Sequence, residues 1–344
     1  MTAAVALVLL LTVLLGLVTG FRDAPNAVAL PVRFRALSPR IALLMAAVLN
    51  TVGTLLGMGM LGAGIALVGG LGALGGGALP TLAVALTVAL TWGLLLWWLR
   101  MPISMTHAVL AAIAAAHLAA HVALGLPLDE AFSRDARRDV LLGLTLSPVL
   151  AWGLTRLLTP LVVRLGTTGT TVNVQHRARL ALALSSGMTA LGHGLQAGQR
   201  LGTVWLLTAA GALGAGLPAD TDLTWPYILS AVVFAAAVGA GTLGGAWRIG
   251  WTLTERLVIL DPLRASVAAA VPAVLLFLGS LLLHLPLSST HTLTASIVAA
   301  GQTQTYASVR WPTLARVVAW WLLTPLVCGA LAFALGLVTL RILG

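Results

Sequence analysis

The sequence predicts an all-α, polytopic membrane protein built from two inverted-topology repeats, whose broken helices or re-entrant hairpins meet at the membrane midplane. Three observations lead to this fold class. Apolar runs long enough to cross a bilayer recur along the whole chain. A short polar motif occurs twice, once in each half. Loops at equivalent positions in the two halves differ in charge, which indicates that they lie on opposite sides of the membrane.

The composition excludes an ordinary soluble domain. Of the 344 residues, 59% are hydrophobic and 8% are charged, and the mean hydropathy is +1.03. Soluble domains carry about 25% charged residues. The chain is therefore expected to be a multi-pass protein of the cell membrane, in contact with lipid. The apolar run 3–18 is expected to be the first membrane helix and not a removable signal.

The net charge of +10 comes from arginine alone, because the chain contains no lysine. The arginines separate the apolar runs and do not form one stripe, which is typical of cytoplasmic loops and not of a nucleic-acid-binding surface. The single cysteine, Cys328, excludes an intrachain disulfide and a thiol metal cluster. No metal site and no cofactor are predicted.

An internal repeat is the strongest signal in the sequence. Residues 99–116 and 283–300 are identical at nine of eighteen positions, and both contain Pro-x-Ser-x-Thr-His. A weaker pair of elements precedes the two motifs, GFRDAPN at 20–26 and GLQAGQR at 194–200. We therefore predict three parts, which are the first repeat (1–164), a cytoplasmic connecting loop (165–179) and the second repeat (180–344).

Loop charge predicts how the two repeats are oriented. The segment 32–40 carries three arginines and no acid, whereas 216–226 carries Asp220 and Asp222 and no base. Positively charged loops tend to be cytoplasmic, and acids weigh little in this rule, so the missing arginine is the evidence. Inverted repeats with broken helices are typical of secondary transporters. We expect an external N-terminus and interrupted helices near residues 20, 102, 194 and 286.

The two Pro-x-Ser-x-Thr-His segments are candidate starts of short buried helices. Pro102 and Pro286 are expected at the first helical position, where a missing N–H costs nothing. The free N–H groups of a helix start attract an oxyanion, and serine and threonine add uncharged donors. Two starts that converge would form one oxyanion site. The alternative is that these hydroxyls only bond neighbouring helices together.

Ionisable residues inside apolar segments are further candidates for function. A buried carboxylate is costly, so Asp23 is expected to bind a coupling cation or to carry a proton. Its neighbour Arg22 is a candidate anion ligand; alternatively, Arg22 lies near the interface and extends towards water. His107 and His291 are candidates either for proton transfer or for hydrogen bonds between helices. Gln196 and Gln199 supply amides in the second half; homodimer and monomer are both compatible with the sequence.

These elements resemble the inorganic phosphate transporter (PiT) family. Its signature combines Gly-x-Asn-Asp-x-x-Asn, then His-Gly-x-Asn-Asp-Gly-Gln-Lys, each followed by Pro-x-Ser-Thr-Thr-His. The chain shows GFRDAPN, PISMTH, GHGLQAGQR and PLSSTH, and residues 244–263 are also similar to a family segment. The resemblance implies transport of inorganic phosphate with sodium or protons as the coupling ion. It implies that the phosphate site is lined by Ser104, Thr106, Ser288, Ser289 and Thr290, and that Asp23, Asn26, Gln196 and Gln199 bind substrate or coupling ion.

The chain departs from this family pattern at two places. Arg22 stands where the family has the first asparagine, and Gln196-Ala197 stands for the second Asn-Asp pair. A sodium site built on two carboxylates cannot form intact, and the cavity gains about two positive charges. These changes favour a divalent anion with fewer coupling cations, or a different oxyanion. Sulfate therefore remains the alternative substrate.

Two other function classes fit less well. An intramembrane hydrolase needs one nucleophile with one base, whereas here Ser and His are duplicated symmetrically. The sequence also contains no His-Glu-x-x-His, so an enzyme is not expected. A passive anion channel is compatible with broken helices but does not explain Asp23. Flux driven by an ion gradient would separate a carrier from a channel.

Overall fold

The computed structural model describes residues 2–60, 71–129, 131, 134–166, 170–213, 224–245, 247–283, 286–306 and 309–343. These ranges contain eleven α-helices: α1 (Thr2–Arg33), α2 (Pro39–Gly59), α3 (Ala78–Trp98), α4 (Met105–Leu124), α5 (Arg134–Gly166), α6 (Thr171–Leu213), α7 (Thr224–Gly244), α8 (Trp247–Trp251), α9 (Pro262–Leu278), α10 (Ser289–Gly301) and α11 (Trp311–Leu343). A 3₁₀ turn (Leu71–Gly77) precedes α3. Wider π turns extend α8 (Thr252–Arg256) and α9 (Gly279–Leu283).

Eight of the described helices are long and apolar enough to cross a membrane, namely α1 to α5, α7, α9 and α11. Their outer faces carry exposed large hydrophobic side chains, such as Leu10, Val149 and Leu326. Apolar surface on this scale is unfavourable in water and is suited to lipid. The prediction of an all-helical, multi-pass membrane protein is confirmed.

The two repeats exchange helices with each other. Order along the chain and the duplicated motif make α1 equivalent to α6, α2 to α7, α4 to α10 and α5 to α11. Helix α1 packs on α7 while α6 packs on α2, and α5 packs on α10 while α11 packs on α4. Each repeat therefore completes the packing of the other, and residues far apart in sequence meet at the centre.

Glycines allow the exchanged helices to approach closely. A Cβ atom added at Gly20 would overlap the Val238 carbonyl oxygen, and one at Gly241 would overlap that of Leu17. Gly198 has the same relation to the Thr54 carbonyl in the α2–α6 pair. Small residues at these contacts let the helix backbones pack directly, which stabilises helix association where apolar burial cannot.

We expect Gly241→Ala to lower the melting temperature of the purified protein. The added methyl group collides with backbone and forces α1 and α7 apart, a cost of about 1–3 kcal/mol. Gly153→Ala in α5 is the matched control, because an added Cβ there meets no described atom within 4 Å. Thermal unfolding in detergent compares the two variants, and equal melting temperatures would contradict the packing account.

Helices α4 and α10 approach the centre from opposite sides. Gly301, at the end of α10, packs on Val258, and the neighbouring Leu257 carbonyl accepts a hydrogen bond from the Arg310 N–H directly before α11. Leu124, at the end of α4, lies with Leu340 beside Gly77 at the other end of α11. The 33 residues of α11 extend about 50 Å. The ends of α4 and α10 therefore lie far apart, near opposite ends of α11, and the starts of the two helices face each other. This geometry is that of an inverted repeat.

Two of the four predicted interruptions are wrong. Helices α1 and α6 run unbroken through residues 20–26 and 194–200, although α1 contains Pro25. The glycines at these places allow close helix packing and do not break the helices. A proline can remain inside a membrane helix because neighbouring helices can bond the backbone groups that it leaves free. The interruptions near residues 102 and 286 are confirmed, because the backbone is non-helical directly before α4 and α10.

The described part of segment 165–179 is mostly helical, since α5 extends to Gly166 and α6 begins at Thr171. The acidic residues used in the orientation argument, Asp220 and Asp222, lie outside the described residues. Of the arginines in segment 32–40, Arg33 pairs with Glu255. Arg264, which lies outside that segment, donates to Thr303 directly after α10. These arginines therefore lie on the side of the molecule where α10 ends.

Candidate functional site

Serine caps define the starts of the two central helices. The Ser104 Oγ accepts a hydrogen bond from the His107 N–H, and the Ser288 Oγ accepts one from the His291 N–H, each at 3.2 Å. Serine at this position satisfies one of the free N–H groups of the first turn. Both predicted serines are therefore used to fix the helix starts. The prolines lie two residues earlier, so their predicted place inside the first turn is wrong.

The two helix starts meet at a pair of histidines. The rings of His107 and His291 lie 4.5 Å apart, and Trp321 of α11 stacks on His291 at 4.0 Å between ring centroids. The Trp321 Nε1 also donates to the Pro102 carbonyl at 2.9 Å. Trp321 thus touches both starts, although no sequence motif marks it. The histidines form a direct contact between the starts of α4 and α10, and their role in proton transfer remains a prediction.

Side chains from the two weaker repeat elements bond to these helix starts. The Asn26 Nδ2 donates to Thr290 Oγ1 at 2.9 Å and to Ser289 Oγ at 3.2 Å. The Arg200 Nη1 donates to Thr106 Oγ1 at 2.5 Å. Asn26 and Arg200 are the last residues of GFRDAPN and GLQAGQR, so the same contact is made twice, each time to the other repeat.

The hydroxyl protons at the helix starts are available to a ligand. Thr106, Ser289 and Thr290 each accept a hydrogen bond, so their own protons remain free to donate. Threonines further along α10 differ, because Thr292 and Thr294 donate to carbonyls one turn back at 2.6 and 2.7 Å. The first turns of α4 and α10 therefore each carry hydroxyl groups that can donate to a ligand.

Arg22 is buried, and no described residue accepts a hydrogen bond from its guanidinium. Its side chain is 1% exposed, and neither Nε nor either terminal nitrogen has an acceptor. A buried guanidinium without an acceptor is costly, and such a group calls for an explanation. Its burial contradicts the alternative in which Arg22 extends to the interface, and an anionic ligand would supply the missing acceptors.

Asp23 ends a chain of buried hydrogen bonds. Thr242 Oγ1 accepts from Asn50 Nδ2 at 2.9 Å because its own proton goes to the Val238 carbonyl. The Asn50 Oδ1 then faces His193 Nδ1 at 3.1 Å, which must donate. The other ring nitrogen, Nε2, lies 3.2 Å from Asp23 Oδ2. A proton must lie between these two atoms, so Asp23 and His193 hold one proton together.

The predicted glutamines have different surroundings. The Gln199 Nε2 donates to the Ser280 carbonyl at 3.1 Å, which ties α6 to the turn after α9. The Gln196 Nε2 is buried and has no acceptor in the part of the chain that the structure describes, so it remains a candidate ligand group. Ala197 is fully buried in an apolar cluster, so a methyl group occupies the place of the second carboxylate.

Three residues of this cluster were missed by sequence reasoning. Arg200 and His193 lie in the quoted element GHGLQAGQR, and Trp321 lies in α11. The available signal was an ionisable side chain inside an apolar run, which is usually functional. The arginines between the apolar runs indicate membrane topology, and this pattern does not single out Arg200 as a site residue. With Arg22 and Arg200 against Asp23, the centre is positive even when His193 is neutral, which suits an anion.

Comparison with known sequences finds one family profile that matches both halves of the chain and relatives that match most of its length. A family profile described as "Phosphate transporter family" matches residues 19–173 and 166–332. A protein of Bacillus subtilis named "Probable low-affinity inorganic phosphate transporter" is 28% identical over 310 residues, covering 89% of this chain and 88% of that protein. A protein of the same name from Mycobacterium tuberculosis H37Rv is 30% identical over 330 residues, covering 93% and 74%.

A solved structure has the same fold. The protein titled "The sodium-dependent phosphate transporter" aligns with a TM-score of 0.74 over 98% of this chain and 99% of its own. Its sequence identity is 18%, so this likeness concerns the fold.

Proposed function

The chain belongs to the phosphate transporter family, and from this premise we propose that it is a secondary transporter of inorganic phosphate. The proposal rests above all on the buried Arg22 guanidinium, which has no acceptor among the described residues. Arg22 lies one helical turn before Asn26, and Asn26 bonds to the start of α10. The family is one of transporters and not of enzymes.

The arrangement can hold a tetrahedral oxyanion from several sides. Arg22 supplies guanidinium donors in a planar fork that matches two anion oxygens. Thr106 from one repeat, with Ser289 and Thr290 from the other, supplies hydroxyl donors, and the first-turn N–H groups of α4 and α10 add theirs. Because the ligand contacts both repeats, movement of one repeat against the other would expose it alternately to the two sides.

Asp23 is proposed as the coupling residue. The proton that it holds with His193 supports proton coupling, since a carboxylate that exchanges a proton during the cycle can link two gradients. Sodium is the second candidate, because the similar solved structure is named sodium-dependent. Sodium prefers oxygen ligands, however, and both Asp23 Oδ2 and Asn50 Oδ1 face His193. Ala197 supplies no second carboxylate.

Uptake of radiolabelled phosphate into proteoliposomes tests this function. We expect accumulation when the outside is acidic relative to the lumen, with little effect of a sodium gradient. A sodium requirement would identify the other coupling ion. Phosphate flux that only follows its own gradient would instead indicate a channel. Sulfate uptake that exceeds phosphate uptake would establish the alternative substrate, which the buried Arg22 and the half-buried Arg200 also suit.

We expect Thr106→Val and Thr290→Val each to weaken phosphate affinity by roughly tenfold or more, because each removes a hydrogen bond to a charged ligand. Thr294→Val is the matched control, since the Thr294 hydroxyl donates inside its own helix. Isothermal titration calorimetry of the purified protein with phosphate measures the affinities. Unchanged affinity in both helix-start variants would refute a site at these helix starts.

A further inference from the structure

The Asn26 side chain leaves one of its two polar ends without a partner. Asn26 is 6% exposed, and its Nδ2 is engaged by Ser289 and Thr290. Its Oδ1 is buried and accepts no hydrogen bond from any described donor. Buried amide oxygens are nearly always paired, and an unpaired one costs free energy. The site therefore contains a hydrogen-bond acceptor that a donor group on the ligand could satisfy.

The amide donates to the hydroxyls that it contacts, and this orientation has a consequence for the anion. With Nδ2 towards α10, the Ser289 and Thr290 oxygens accept, and their protons stay available for an anion. The opposite orientation would consume both protons at the amide oxygen. The start of α10 would then lose its hydroxyl donors. The orientation observed places one acceptor among groups that otherwise donate, since guanidinium nitrogens cannot accept.

Such an acceptor cannot be satisfied by every tetrahedral dianion. Hydrogen phosphate carries one O–H group beside three bare oxygens, and hydrogen arsenate is alike. Sulfate at neutral pH has no proton, and neither has monofluorophosphate, although both are tetrahedral dianions. A bare anion would leave Asn26 Oδ1 buried and unpaired, facing a negative oxygen. A site that hydrogen-bonds a ligand O–H rejects analogues that lack it.

We propose that Asn26 selects phosphate by accepting the O–H of hydrogen phosphate at its Oδ1. This inference rests on the proposed function, because it names the chemical feature of the substrate that the same site recognises. The Asp23 carboxylate is held by His193 through Oδ2. The amide oxygen of Asn26, which is the end not bonded to α10, is the acceptor that we assign to the substrate proton.

Competition against radiolabelled phosphate uptake in proteoliposomes at pH 7.5 tests the selection. We expect arsenate to compete about as well as unlabelled phosphate. Monofluorophosphate and sulfate should compete roughly tenfold or more weakly, because each leaves the buried acceptor unpaired. Monofluorophosphate is the sharper probe because it retains the phosphorus centre. If it competes as well as arsenate while phosphate uptake is normal, the inference is overturned and the proposed function stands.

Asn26→Leu, which removes the acceptor at similar volume, separates selection from structural support. We expect phosphate affinity to fall towards that of monofluorophosphate, so that the ratio of the two affinities approaches one. Loss of structure alone would lower both affinities alike and leave the ratio unchanged, which would contradict the proposal. Gln304→Leu is the control, because its amide is also buried but bonds the Ile259 carbonyl beyond the far end of α10.

The wild-type competition decides the matter if Asn26→Leu does not fold. Absence of phosphate uptake in the wild type, with sulfate taken up instead, would overturn the proposed function and this inference together.

Discussion

Asp23→Asn is expected to abolish gradient-driven accumulation of phosphate while phosphate–phosphate exchange across the membrane remains measurable. The asparagine has nearly the same shape, and its Nδ2 can donate to Nε2 of a neutral His193 whose Nδ1 donates to Asn50, so the buried hydrogen-bond chain is retained. It cannot take up or release a proton or hold a cation by charge. Exchange of labelled for unlabelled phosphate needs only the anion site, whereas accumulation against a gradient needs the coupled ion.

Asp261→Asn is the matched control for this experiment. Burial raises the pKa of Asp261, but hydrogen bonds from Tyr306 and Arg264 outweigh it and hold the pKa below its usual range. Asp261 is therefore a charged carboxylate, and it caps α9 outside the central site. Asparagine also caps helices well, so accumulation should persist in the control. Accumulation at the wild-type level in Asp23→Asn would remove Asp23 from the coupling step.

Arg22→Met is expected to change phosphate binding and stability in opposite directions. Losing the buried cation removes a ligand contact worth about 2–5 kcal/mol, so phosphate affinity should fall thirtyfold or more. Without phosphate, the variant should be as stable as the wild type or more stable. It no longer buries a guanidinium without partners, and methionine fills the same space. Thermal unfolding with and without phosphate measures both effects.

Arg264→Met should show the reverse pattern. Arg264 pairs with Asp261 at 2.6 Å and donates to Thr303 at 3.0 Å, so its loss should lower the melting temperature. Phosphate should stabilise this variant as much as the wild type, because Arg264 lies at the start of α9, away from the helix starts. If Arg22→Met loses stability without phosphate but keeps its phosphate response, Arg22 is a structural residue.

The sequence predicted that helices start at the two duplicated motifs, but it placed each start at the proline and not after the serine cap. A serine cap acts on an N–H three residues away, so Ser104 and Ser288 could be recognised from the motif itself. Gly20 and Gly194 were misread, since a glycine in an apolar run indicates a break or a close contact equally well. The contact of Gly20 with the Val238 carbonyl depends on packing between repeats, which no local pattern contains.

The candidate site could be predicted only in part for the same reason. Asp23 and Arg22 stood out because charge inside an apolar run is costly wherever it lies. The partners depend on helix exchange, since Arg200 meets Thr106 across 94 residues and His193 meets Asp23 across 170. The equivalence of Asn26 and Arg200 was visible in the repeat elements, but their opposite chemistry concealed that both bond to threonines.

A cryo-electron microscopy map of the protein frozen with saturating phosphate tests the central claim most directly. We predict one tetrahedral density between the starts of α4 and α10, within hydrogen-bond distance of Arg22, Thr106 and Thr290, and absent from a phosphate-free sample. Density only at another place, or none between these helix starts while phosphate is transported, would contradict a substrate site shared by the two repeats.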